Sequence, residues 1–72
     1  MYTIIQQSSN HFNIIDLSTG VFVNRITAPG TVVSGPIVVG NRCTIVVDNN
    51  NGNKMGIIYS LPQGNIIDRY AV

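Results

Sequence analysis

Phe12-Asn-Ile-Ile-Asp-Leu-Ser-Thr-Gly-Val-Phe-Val-Asn-Arg-Ile26 and Gly56-Ile-Ile-Tyr-Ser-Leu-Pro-Gln-Gly-Asn-Ile-Ile-Asp-Arg-Tyr70 are the two stretches whose comparison decides the fold. Laid on one another at an offset of 44, they share Ile14/Ile58, Leu17/Leu61, Gly20/Gly64 and Arg25/Arg69. Phe22/Ile66 and Val23/Ile67 keep apolar character, and Asn24/Asp68 keep one shape. Upstream, Thr3-Ile4-Ile5 matches Thr44-Ile45-Val46 at an offset of 41, which places three extra residues in the Asn49–Asn53 loop of the second copy. A hairpin tip is where a repeat tolerates insertion, because little packed backbone is disturbed there.

Around this repeat the chain alternates short runs of Ile, Val, Thr, Tyr and Phe with clusters of Gly, Pro, Asn and Ser, the pattern of an all-β protein. The expected strands are Tyr2–Gln7, His11–Leu17, Val21–Thr27, a short Ile37–Val39, Arg42–Asp48, Gly56–Leu61 and Asn65–Ala71. No window shows helical spacing, so an antiparallel meander of about seven short strands without helix is predicted. The turns Ser8–Asn10, Ser18–Gly20, Pro29–Gly30, Asn49–Asn53 and Pro62–Gly64 carry the residues that reverse a chain. Residues 1–72 read as a single small β domain, with repeat units at about 2–28 and 35–72 joined by a loop over 28–35.

Composition narrows the function classes. A domain of 72 residues buries a modest core and is marginal alone. Disulfides cannot staple it, since Cys43 is the only cysteine, and Cys43 with His11 is too small a set for structural zinc. Partner subunits remain as the expected staple. Charged residues make up 10% of the chain, well under the usual share of about 25%, so much of its surface is expected to be uncharged polar or covered by protein, which favours a subunit of something larger. A net charge of +1 without clustering leaves no footprint for nucleic acid or anionic lipid. The apolar runs are too short for a membrane helix, and the N-terminus reads as no signal peptide.

Candidate chemistry is sparse. Asp48–Asn53 resembles a calcium loop only at first sight, because the glycine falls fifth instead of sixth and the chain has no glutamate. His11 has no nucleophile and acid arranged around it in sequence, and three aspartates make no evident acid/base couple. Cys43, at the repeat position of Tyr2, reads as a packing residue. No catalytic residue, metal site or cofactor is expected, and the chain is read as not an enzyme. The residues singled out as interface or ligand contacts are Arg25, Arg69, Asn51, Tyr59 and Tyr70. The two arginines occupy equivalent repeat positions and could bind an anion or a neighbouring chain, with pairing to Asp16 or Asp68 as the plainer role. Asn51 lies in a polar loop of the kind that carries recognition, and the tyrosines could stack on sugar rings or serve in the core and at interfaces.

A unit of about 40 residues whose strands lead into a Leu-x-x-Gly turn, preceded by Ser34-Gly-Pro-Ile-Val-Val-Gly-Asn-Arg42, resembles β-propeller blades of the quinoprotein-like and WD-like kind. Such blades are four-stranded antiparallel sheets set around a channel. The resemblance implies blade geometry alone, since the chain has no tryptophan and nothing that matches a quinoprotein cofactor site. It implies roughly two propeller-like blades, the first with three strands and the second with four. Too few for a closed ring, they would need three or four chains to give six or eight blades. The chain's size is also similar to that of two-blade lectins that assemble into trimeric propellers. Small, low-charge, Asn-rich β chains look like accessory proteins of bacteriophage heads and tails as well. The expected function is therefore a non-enzymatic structural or interaction subunit. It would form a homo-oligomeric trimer or tetramer or join a larger protein assembly such as a virion, without nucleic acid or membrane. The alternative is an oligomeric carbohydrate-binding module.

Overall fold

A computed structural model describes residues 1–49 and 52–72. Among them every regular element is a strand: β1 (Tyr2–Gln6), β2 (His11–Asp16), β3 (Phe22–Thr27), β4 (Thr31–Val39), β5 (Arg42–Asp48), β6 (Lys54–Ser60) and β7 (Ile66–Ala71). The chain is all-β, as its alternation of β-branched residues and turn clusters predicts. The strands form two antiparallel meanders, a three-stranded sheet in the order β1-β2-β3 and a four-stranded sheet in the order β4-β5-β6-β7.

The two sheets stack through one apolar core. Phe12 and Ile14 of β2, Ile26 of β3 and Ala28 beyond it meet Cys43, Ile45 and Val47 of β5, Ile57 and Tyr59 of β6 and Leu61 after it. Along β2 and β5 the buried residues alternate, as one face of a pleated strand must. Tyr2, Ile4, Val32, Val38 and Met55 close the rim of this core.

The fourth strand departs from expectation. It begins at Thr31, so only residues 28–30 connect the two sheets, and it is nine residues long instead of three. Val32 donates its backbone N–H to Ser9 O (3.1 Å) and contributes to the core rim, which extends the strand beyond the apolar run Ile37–Val39. Pro36 therefore lies inside β4, between Ser34 and Ile37, where the register shifts. A bulge is the one interior place where a missing backbone donor is tolerated.

The equivalence of the two sheets extends to individual hydrogen bonds. At an offset of 44, Asp16 N donates to Val21 O and Ser60 N to Asn65 O, and Gly20 N donates to Asp16 O and Gly64 N to Ser60 O. Gly20 and Gly64 hold φ of 73° and 75°, the left-handed conformation that glycine adopts without a Cβ penalty. The register skips Val23 between β2 and β3 and Ile67 between β6 and β7, so both copies carry the same bulge. Beside each bulge an Oδ1 accepts the next residue's N–H, Asn24 from Arg25 and Asp68 from Arg69, both at 2.8 Å.

The first strand of each copy corrects the alignment. Tyr2 pairs with Asp16 and Arg42 with Ser60, so β1 matches β5 at an offset of 40, not 41. Cys43 thus corresponds to Thr3 rather than Tyr2, and the second hairpin holds four additional residues instead of three. The Thr-Ile-Ile likeness selected a register one residue out, and such a slip turns every side chain to the opposite face.

Candidate functional site

Directly paired residues in an antiparallel ladder share a face, so the registers sort each sheet into two sides. In the first sheet, the side with Tyr2, Ile4, Phe12, Ile14 and Ile26 faces the core. Under the structural equivalence these become Arg42, Thr44, Gly56, Ile58 and Tyr70, and that side of the second sheet faces outward. The second sheet is buried through its other side, with Cys43, Ile45, Ile57 and Tyr59. The counterparts of those residues, Thr3, Ile5, Asn13 and Ile15, lie on the outward side of the first sheet. The sheets therefore stack head to tail: the front of the first meets the back of the second, leaving one back and one front uncovered.

Both uncovered sides carry apolar groups. On the front of the second sheet Ile37 is 59% exposed and Val39 72%, both on β4, and Tyr70 is exposed on the opposite edge strand, β7. On the back of the first sheet Ile5 and Phe22 are exposed. Leu17, after β2, is 54% exposed, whereas its repeat counterpart Leu61 is 3% exposed.

The predicted contact residues separate on this frame. Tyr59 is 2% exposed, so it is a core residue and its ring is not presented to a ligand. Among the described residues its hydroxyl has no hydrogen-bond partner, and burial raises its pKa, with the Cys43 side chain adding to that and Arg69 opposing it. Tyr70 is exposed on the front of the second sheet, directly opposite Gly56. Arg25 and Arg69 are exposed on the backs of their respective sheets. Arg25 Nε donates to Asn13 Oδ1 (3.4 Å) instead of to a carboxylate. Asp16 accepts from Ser18 and Asp68 from the Arg69 backbone, and among the described residues neither carboxylate pairs with an arginine side chain. Asn51 falls outside the described residues.

Several of the side-chain hydrogen bonds among the described residues lie within single turns. Ser8 Oγ and His11 Nδ1 are 2.9 Å apart across the β1–β2 hairpin, an exposed contact that ties the turn. The Ser18 hydroxyl and, next, the Ser18 N–H donate to Asp16 Oδ1 and lower its pKa. Burial pushes the Cys43 thiol up to about 11, so it is a protonated packing group.

Sequence reasoning missed Asn24. Its Nδ2 donates to Gln63 O (2.8 Å) and Pro62 O (3.4 Å), tying the bulge of the first sheet to the β6–β7 turn of the second. The signal was present in the conserved shape of Asn24 and Asp68, but only the stacking of the sheets gives the amide its acceptors.

No family model, curated protein or solved structure gives a significant match to this chain. The fold and the outward faces define a class: an all-β protein of two stacked antiparallel meanders built on one repeated hydrogen-bonding scheme. No helix among the described residues is long and apolar enough to cross a membrane.

Proposed function

We propose that the protein is a non-enzymatic structural subunit that associates through its outward sheet faces, as a ring of three or four chains or on a larger β-rich assembly such as a virion head or tail. The observation that carries this reading is exposure of apolar side chains on both outer faces at once, Ile37 and Val39 on one and Ile5 and Phe22 on the other. A sheet that is apolar on two sides is stable when covered on two sides. A monomer this small does not ordinarily leave two such patches in water. The low share of charged residues favours the same reading. Stacked four-stranded blades that close into a ring supply an architecture in which each face finds a neighbour.

Light scattering after gel filtration at micromolar concentration, with binding of a hydrophobic dye measured in parallel, tests the proposal. A trimer or tetramer supports the ring, and a dye-binding monomer supports docking on another protein. A folded monomer that binds no dye overturns both. A glycan array covers the carbohydrate reading, for which the exposed ring of Tyr70 is the structural support. Selective sugar binding that is lost in Tyr70→Ala would replace the structural role.

A further inference from the structure

We infer that the outward front of the β4–β7 sheet binds the outward back of the β1–β3 sheet of a second copy of this chain, reproducing between chains the head-to-tail contact made within one. The inference rests on the proposed structural role and specifies the partner and the two faces. Its basis is the equivalence of the sheets. The chain itself shows what covers a front of this kind, namely the back of the next unit, and it leaves one front and one back uncovered. A contact that uses two different faces is heterologous: each chain that binds offers the same free face again, so the assembly closes as a ring or continues to grow. A two-fold dimer, which places like on like, does not follow from this geometry.

Leu61 and Leu17 show the same relation in single residues. Leu61 belongs to the back that is covered and is buried in the core, whereas Leu17 belongs to the back that is free and is exposed. Ile15 and Ile5 stand with Leu17 as counterparts of the buried Tyr59 and Ile45. Ile58 and Tyr70 on the free front are counterparts of the core residues Ile14 and Ile26. The free faces are the more polar pair, with Thr3 and Asn13 in place of Cys43 and Ile57. That composition suits a surface that must be soluble before the subunits meet.

Asn24 gives the contact its register. Within the chain its amide reaches the carbonyls of Pro62 and Gln63. Between chains the corresponding group is Asp68, and the corresponding turn is Ser18–Thr19. Asp68 cannot donate to carbonyl oxygens as Asn24 does, but the Thr19 hydroxyl, whose oxygen accepts the Val21 N–H, retains a proton to give. Asp68 of one chain is thereby placed against Thr19 of the next.

Disulfide trapping tests this directly, since the native Cys43 is buried and does not interfere. Chains carrying Asp68→Cys and Thr19→Cys, mixed and mildly oxidised, are expected to form the mixed disulfide in preference to either symmetric one. In the unmodified protein, Asp68→Asn should tighten association roughly two- to tenfold by restoring an amide donor of the Asn24 kind. Leu17→Lys should weaken association at least tenfold while leaving circular dichroism of the chain unchanged. An oligomer that yields only symmetric Asp68→Cys dimers, or no mixed disulfide, overturns the assignment of faces and leaves the structural role standing. A dye-binding monomer also overturns self-association while leaving that role. A folded, dye-silent monomer overturns the two together.

Discussion

The ring of Tyr70 lies on Gly56, its partner across the β6–β7 ladder, and fills the space that a Cβ at position 56 would need. In the first sheet the same two positions are Ile26 and Phe12, both in the core. The large and small members of the pair have exchanged strands between the copies, so one ring still covers the site. An aromatic laid across a strand glycine restores the packing that the missing side chain forgoes.

This relationship sets the sign of a substitution. Gly56→Ala should displace the Tyr70 ring and cost about 1 kcal/mol of stability, the scale of a cross-strand aromatic contact. In a Tyr70→Ala background the same change should instead stabilise by about 0.5–1 kcal/mol, because alanine limits the unfolded chain more than glycine does. Urea denaturation of the four proteins in the cycle measures this coupling. Equal effects of Gly56→Ala in both backgrounds would show that the ring contact does not act on stability.

Asn24→Asp provides a second test. The substitution retains the Oδ1 acceptor for Arg25 N–H but removes the donors to Pro62 O and Gln63 O, and sets a carboxylate against two carbonyl oxygens. The expected cost at pH 7 is about 1–3 kcal/mol. Carbonyl neighbours favour the protonated acid, so the introduced group has a raised folded-state pKa and the deficit should shrink as pH falls through that value. Thermal unfolding of the variant and parent at pH 7 and pH 4 reads the difference.

Cys43 and Tyr59 predict an alkaline limit. Both pKa values are raised by burial, Cys43 from 9.0 to about 11. A raised folded-state pKa means that the native state holds its proton more tightly than the unfolded chain. The contribution from Cys43 is therefore complete below pH 9 and is lost as pH rises from about 9 to about 11. The urea midpoint should be level from neutrality to pH 9 and then fall, with a smaller fall in Cys43→Ala. The native thiol should also resist a water-soluble thiol reagent that labels it rapidly once the chain is unfolded.

The legible and illegible parts of this structure divide along physical lines. Strand and turn positions were readable because β-branched runs and glycine turns are local signals: Ile14/Ile58 and Arg25/Arg69 align with the observed ladders and Gly20/Gly64 with the observed turns. The N-terminal half of β4 was not, because Thr31–Gly35 is held by a neighbouring hairpin and by bulges, not by its own pattern. The face assignments were also hidden. Tyr59 and Tyr70 are alike in residue type, yet one is in the core and the other exposed. The alternation places them on opposite sides, but which side is covered depends on how the two sheets stack.

Leu17 and Leu61 make that last dependence measurable, because one residue type occupies one repeat position in two environments. Leu61→Ala removes side-chain atoms from a closed core and should cost about 2–5 kcal/mol. Leu17→Ala removes them from an exposed position and should change the stability of the separated chain by no more than about 0.5 kcal/mol. At concentrations where chains associate, the effect of Leu17→Ala should grow with protein concentration, since assembly adds its free energy to that of folding. Unfolding midpoints of both variants across a hundredfold range of concentration separate the cases. A Leu17→Ala deficit that is large and independent of concentration would place Leu17 in the chain's own core instead of at a contact between chains.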